Sequence, residues 1–183
     1  MTKNILICNQ KGGVGKSTLA DLLMWSFEKD GVPASFYDLD GQGGVIHKPI
    51  EVDNAAVAVI DTPGALQKDL GTWIQNADII IIPTKATMMD MNPLLRMIDL
   101  VSTAPCPVVY VEAMWNRFTA AAMFDEWLTQ ETGGKSKILK IPQSELVVQA
   151  AAVGKSVIDY APKSTAAEAA SEFVQYIRSV IQI

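Results

Sequence analysis

Short apolar runs alternate along the chain with longer segments in which apolar residues recur at helical spacing. The runs are Ile5 to Cys8, Ala34 to Tyr37, Ala56 to Ile60, Ile79 to Ile82, Val108 to Val111 and Lys137 to Ile141. Near-continuous apolarity over so short a run is what a strand covered on both faces requires, and it predicts a parallel sheet under helices. Helices are expected at Ser17 to Lys29, Leu66 to Asn76, Asn92 to Ser102, Ala120 to Thr132 and Thr165 to Ile181. The first carries Leu19, Leu22, Leu23 and Phe27 on one stripe and stops at Asp30-Gly31-Val32-Pro33; the fourth stops at Gly133-Gly134. Thr165-Ala166-Ala167-Glu168 has the form of a capping box and opens the last helix. Strand and helix alternating six times predicts an α/β fold, a doubly wound, mostly parallel sheet flanked by helices. Its right-handed crossovers put the ligand loops at the C-terminal edge of the strands. There is no internal repeat, low-complexity tract or linker, so residues 1–183 are expected to form a single domain.

Composition narrows this picture in three ways. A chain of 183 residues, 49% of them hydrophobic, can bury a core without disulfides or metals. Its net charge of -5 disfavours a constitutive binder of nucleic acid or anionic membrane, while leaving room for a local basic patch. Cys8 and Cys106 are far apart and form no C-x-x-C pair, which speaks against a zinc site or a cysteine-held cluster and fits a reducing compartment. No apolar run reaches the ~20 residues a bilayer demands, and no leader-like sequence precedes the first strand. The expectation is a soluble protein of the cytoplasm.

The chemistry is concentrated between the first strand and the first helix, at Asn9-Gln10-Lys11-Gly12-Gly13-Val14-Gly15-Lys16-Ser17-Thr18. Glycines there let backbone N–H groups turn inward around phosphates, and the helix N-terminus adds partial positive charge. Residues Gly12 to Thr18 are therefore the candidate phosphate cradle. Lys16 is placed to reach the β- and γ-phosphates and the Ser17 hydroxyl to ligate Mg²⁺. The first glycine of the pattern G-x-x-x-x-G-K-S/T is replaced by Gln10. Lys11 is a second lysine that the ordinary loop does not explain. With it, the stretch KGGVGKST resembles the deviant Walker A motif of the ParA/MinD family of ATPases. The resemblance implies that Lys11 crosses the interface of an ATP-sandwich homodimer and touches the partner's phosphates, a trans-acting cation on transition-state charge.

Two acidic segments follow. Tyr37-Asp38-Leu39-Asp40-Gly41-Gln42-Gly43 resembles the family's D-x-D-P-Q-G segment, which implies Asp40 as the residue orienting the attacking water and Asp38 near the Mg²⁺ shell. Gly41 stands where the family has proline; the plainer alternative is that both aspartates cap a turn. Val59-Ile60-Asp61-Thr62-Pro63-Gly64 has the Walker B form, with Asp61 on Mg²⁺ and the Gly64 N–H placed to sense the γ-phosphate, or else is an ordinary strand end. Many family members carry an additional helix and strand between these segments. This chain resembles the smallest, plasmid-type ParA proteins, without the N-terminal helix-turn-helix domain of their larger relatives. His47, in the shortened stretch, is expected to be a surface loop residue rather than a catalytic base.

Other assignments rest on the same resemblance. Asn116, after the fifth strand, is the candidate reader of adenine, with an ordinary turn residue as the alternative. Ile141-Pro142-Gln143 matches the segment that lines the base, so Pro142 is included in the site. Lys155-Ser156-Val157-Ile158-Asp159-Tyr160-Ala161-Pro162-Lys163-Ser164 is similar to the ParA phrase G-K-x-V-x-D-Y-x-P-K-S. Met88, Met89, Met91, Leu94, Leu95 and Met97 read as helix core or as an adaptable partner face. Lys135, Lys137, Lys140, Lys155, Lys163 and Arg178 read as a DNA-contacting surface, doubled by dimerisation, or as solvated charge. The apolar stripe of the last helix has Arg178 as its only cation and reads as docked on the sheet, not on a membrane. The resemblance thus implies an ATPase using ATP and Mg²⁺, slow unless stimulated, that binds non-specific DNA as a dimer, associates with the nucleoid and meets a ParB-like adaptor. The alternative is a positioning ATPase for conjugation, secretion or division machinery. No guanine-specific N-K-x-D motif is present.

Overall fold

The computed structural model describes residues 1–40, 44–64 and 69–183. Six strands, β1 (Lys3–Ile7), β2 (Ala34–Asp38), β3 (Val57–Asp61), β4 (Ile79–Thr84), β5 (Val108–Trp115) and β6 (Lys137–Pro142), form one all-parallel sheet in the order β2-β3-β1-β4-β5-β6. Strict alternation along each strand divides the apolar residues between two faces. Ile5, Ile7, Val57, Val59, Ile79, Ile81, Val109 and Val111 meet α1 (Lys16–Lys29) and α7 (Thr165–Ile181), whose Leu19, Leu23, Phe27, Phe173 and Ile177 complete that core. Leu6, Cys8, Ile80, Ile82 and Tyr110 point the other way, against α2 (Leu70–Asn76), α3 (Met88–Val101) and α4 (Thr119–Glu131). The last helix therefore docks on the sheet as its stripe predicts. Among the described residues no helix is long and apolar enough to cross a membrane.

Topology decides where ligand loops gather. The chain leaves β1 toward the β2 edge, then returns from β3 across β1 to β4. That reversal makes the C-terminal edge beside β1 the switch point at which open α/β sheets bind ligands. In register, Ile7 pairs with Asp61, and Asp61 with Asp38, so both acidic segments end level with the start of the glycine loop.

Several expectations are corrected. Strand–helix alternation fails between β2 and β3, where residues 44–56 contain no helix and Ile50 instead makes an antiparallel bridge to Phe36. The start of the second expected helix falls at residues 65–68, outside the described residues, and α2 is described from Leu70. The third helix begins at Met88 rather than Asn92, with Pro93 inside it. Two short helices, α5 (Glu145–Ala152) and α6 (Val157–Tyr160), carry too little apolar periodicity to stand out in the sequence. The cap of α7 is Ser164, whose hydroxyl accepts from the Ala167 N–H, so Thr165 is already the first helical residue.

Candidate nucleotide site

The glycine loop is held from below by two residues. Val14 is fully buried and plugs the loop into the core. Asn9, also buried, donates through Nδ2 to the Pro83 carbonyl at 2.7 Å and accepts the Lys11 N–H at 2.9 Å, tying the loop to the end of β4. Gly13 (φ 71°) and Gly15 (φ 99°) occupy the left-handed region that a side chain would resist. Gly15 is the N-cap of α1 and supplies no side-chain acceptor to the first turn, so the N–H groups there keep their capacity for an anion. Gly12 and Gly13 are exposed on the rim, and Thr18 faces outward beside them.

Charged groups converge above this loop. The Lys16 ammonium reaches back to the Lys11 carbonyl at 3.3 Å. Burial depresses its pKa, with Asp61 and Asp40 opposing the shift. Ser17 Oγ donates to Asp61 Oδ2 at 2.8 Å. Asp61 is fully buried, and its Oδ1 has no partner among the described residues. Burial pushes the Asp61 carboxyl up to about 6; the Ser17 bond and Lys16 pull it down, and the nearby charges of Asp38 and Asp40 push it up again. A buried carboxylate with an orphaned oxygen beside a serine hydroxyl fits a small, hard cation such as Mg²⁺. Asp38 Oδ1 accepts the Asp40 N–H at 2.9 Å, and the Leu39 N–H donates to the Asp61 carbonyl, which fixes both acidic strand ends to each other. Gly41, Gln42 and Gly43 of the first acidic segment lie outside the described residues. Gly64 packs directly on the loop: a Cβ there would lie 3.0 Å from the Gly12 nitrogen.

Lys11 turns away from Lys16. Its ammonium pairs with Asp90 Oδ1 at 2.6 Å and donates to the Met89 carbonyl at 3.3 Å, at the start of α3. Beside that pair Met88 and Met89 are exposed, whereas Leu94 and Met97 are buried, so the core reading holds for the second part of the methionine-rich stretch.

A mostly apolar cavity of about 380 Å³ adjoins the loop, lined by Gly15, Thr18, Leu19, Met114, Pro142 and Gln143 among others. Met114 enters it through a bulge between Ala113 and Trp115 that places it at φ 56°. Asn116 lines the neighbouring cavity with Trp115 and Lys140, and Pro142 and Gln143 border both. The Asn116 Oδ1 accepts the Phe118 N–H at 3.1 Å, closing a turn. Of the six C-terminal basic residues, Lys137 pairs with Glu172, Lys140 with Asp125 and Arg178 with Asp30. Lys135, Lys155 and Lys163 are exposed.

Residues 5–157 match the family described as CobQ/CobB/MinD/ParA nucleotide binding domain. The chain belongs to this family. Solved structures agree on the fold. An ATP complex of a McdA variant from Cyanothece superposes with a TM-score of 0.80 at 15% identity, covering 100% of this chain and 97% of that one. The septum site-determining protein MinD of Pyrococcus horikoshii OT3, complexed with Mg-ADP, gives 0.74 at 15% identity over 97% and 96%. A plasmid partition protein of Borrelia burgdorferi B31, described as putative and bound to AMPPNP, gives 0.68 at 15% over 97% and 100%. No curated protein sequence matches the chain.

Sequence reasoning passed over Asn9, Asp21, Asp90, Pro93 and Met114. Asn9 carried a signal, a polar residue between a buried strand and a glycine loop. Asp21 carried another, a carboxylate on the apolar stripe of α1. Asp90 and Met114 carried none, since an ion pair between distant segments and a bulge appear only in three dimensions.

Proposed function

We propose that this chain is an ATPase of one P-loop domain, residues 1–183, that works as an ATP-dependent dimer in the cytoplasm. The observation that carries the reading is the meeting of Lys16, Ser17, Asp38, Asp40 and Asp61 at one loop, with a second lysine, Lys11, on its rim. The N–H groups from Gly12 to Thr18 would bind the phosphates, and Lys16 would neutralise the β- and γ-oxygens. The cavity bordered by Met114 and Pro142 would take adenine, with Asn116 in the cavity beside it. Ser17 and Asp61 would hold Mg²⁺, with Asp38 behind them; when bound, that ion supplies charge neutralisation at the phosphate oxygens. Asp40 would orient the attacking water and Gly64 would sense the γ-phosphate. In the dimer Lys11 would leave Asp90 for the partner's nucleotide.

The cargo reading follows from the resemblance to small ParA proteins. The dimer would coat DNA without sequence preference, and a ParB-like adaptor would stimulate hydrolysis, so that plasmid DNA is segregated. Binding of the pure protein to non-specific duplex DNA, with ATP, ADP or no nucleotide at two salt concentrations, tests it. ATP-dependent, salt-sensitive binding supports partition. A protein that dimerises with ATP and ignores DNA is a positioning ATPase for other machinery. One observation favours that second reading: Lys137, Lys140 and Arg178 are already engaged by acidic side chains.

A further inference from the structure

Asp21 lies one turn beyond Ser17 on α1, between apolar neighbours, and its side chain is 4% exposed. A carboxylate in such a place is costly unless fully bonded. It accepts the Ile46 N–H at 3.1 and 3.0 Å on its two oxygens, the His47 N–H at 3.0 Å, and makes a 2.6 Å contact with His47 Nδ1. The His47 side chain, expected on the surface, is 10% exposed; its Nε2 lies 3.4 Å from Glu28 Oε2, and its ring stands edge-on to Trp25 with centroids 5.0 Å apart. A hydrophobic side chain at position 21 would pack on α1 equally well. What the carboxylate adds is direction, because it fixes the backbone of residues 46 and 47 at one point on the helix.

That point matters because of what stands on either side of it. Gly44 touches the site itself: a Cβ there would lie 3.1 Å from Ser17 Oγ. Before it in the chain come Asp38 and Asp40, whose charges act on Asp61, and Asp40 acts on Lys16 as well. Asp40 directly follows the end of β2, and residues 46 and 47 are tied to Asp21. Asp21 and Ile46 also line a cavity of about 220 Å³ with Thr18, Gly44 and, from the far side, Lys155.

We propose that Asp21 and His47 are positioning residues for the hydrolytic step, clasping residues 44–47 to α1 so that Gly44 is held against Ser17. This rests on the ATPase reading above. Neutral His47 donates from Nδ1 to Asp21 and leaves an acceptor at Nε2 toward Glu28; protonated, it donates to both, so the clasp is tighter in the charged form. The charged groups facing the imidazole are Asp21 and Glu28 from α1, with Lys48 next to it on its own segment and Lys155 across the cavity.

The test is single-turnover hydrolysis of ATP by excess full-length protein with saturating Mg²⁺, alongside calorimetric ADP affinity. Asp21→Ala and His47→Ala slow the hydrolytic step by about tenfold to a hundredfold, the scale of small misplacements, while ADP affinity stays within about twofold. Asp21→Asn recovers part of the rate, since its amide oxygen still accepts from the Ile46 and His47 N–H groups. His47→Ala also flattens the pH dependence of the rate between about pH 6 and 8. Should Asp21→Ala fail to fold, Asp21→Asn and His47→Ala decide the matter. Wild-type rates and an unchanged pH profile in folded variants overturn the clasp. Absence of hydrolysis by the wild type as well overturns the ATPase reading, and the clasp with it.

Discussion

Lys11 Nζ sits 2.6 Å from Asp90 Oδ1, and Pro93 explains why it has a second acceptor there. In a helix the N–H of residue 93 would bond to the carbonyl of residue 89; proline has no N–H, so the Met89 carbonyl is free to accept Lys11 at 3.3 Å. Asp90 is buried, and its other oxygen accepts the Thr87 hydroxyl. The lysine that the family resemblance assigns to a partner's phosphates is held in cis within the single chain.

Removing that lysine should therefore unsettle Asp90. Lys11→Met leaves a buried carboxylate with one hydroxyl partner, and because the lysine end is about a third exposed the loss is screened to about 1–2 kcal/mol. Urea unfolding should report that loss, and Asp90→Asn in the same chain should restore most of it. A double-mutant cycle with no coupling would show the pair to be energetically idle.

Asp61 and Ser17 should make nucleotide binding depend on Mg²⁺. The orphaned Asp61 oxygen is the proposed ligand, and Asp61→Asn keeps a group able to accept from Ser17 while losing the charge. Chelating Mg²⁺ should weaken ADP binding to the wild type by about tenfold or more, some 1.4 kcal/mol. ADP affinity of Asp61→Asn should be nearly indifferent to chelator. Equal Mg²⁺ dependence in the two proteins would remove Asp61 from the metal site.

Much of this architecture was legible from periodicity and a few loops. All six strands were found because each is buried on both faces, which writes an apolar run into the sequence. Their ends were set short by one to four residues from β2 to β6, where polar or bulged residues such as Asp38, Thr84, Glu112 and Met114 continue the strand. The glycine loop stood out as a candidate phosphate cradle because glycine and lysine at fixed spacing have few other uses. What could not be read was tertiary pairing. Asp90 holds Lys11 from well over seventy positions away, and His47, a plain loop residue in sequence, is largely covered because Asp21 draws its segment onto α1. That the described residues 44–56 contain no helix was foreshadowed by the short spacing of the two acidic segments, although alternation alone argued for one.

Glu112 gives the protein a pH-dependent weakness. It lies in register with Lys140 on β6, fully buried, and neither carboxylate oxygen has a hydrogen-bond partner among the described residues. Burial pushes its carboxyl up to about 7, Asp125 adds to the rise, and Lys140, itself held by Asp125 at 2.5 Å, opposes it. The folded protein thus binds this proton more tightly than the unfolded chain does. The contribution to stability is present below the ordinary glutamate value of about 4.3 and is lost as pH rises through about 7. Glu112→Gln should therefore be more stable than the wild type at pH 8 by about 1–3 kcal/mol, with the advantage shrinking toward pH 5. Chemical denaturation at the two pH values checks both sign and slope.

Among the described glycines outside the glycine loop, Gly64 should prove the least replaceable. A Cβ on it would lie 3.0 Å from the Gly12 nitrogen, 3.1 Å from the Gly12 Cα and 3.3 Å from the Lys11 carbonyl carbon. All three are backbone atoms, which cannot rotate aside as a flexible side chain would. The loop must move, and it carries the N–H groups proposed to hold phosphate. Gly64→Ala should accordingly weaken ADP binding by about tenfold to a hundredfold, with only a small fall in Tm because neither hydrophobic core is touched. Gly71→Ala is the matched control: on α2 a methyl group there meets open space, so it should leave binding unchanged and hold or slightly raise Tm. If Gly64→Ala binds ADP as the wild type does, the phosphate loop tolerates displacement from behind, and the close packing of these two segments has no part in nucleotide affinity.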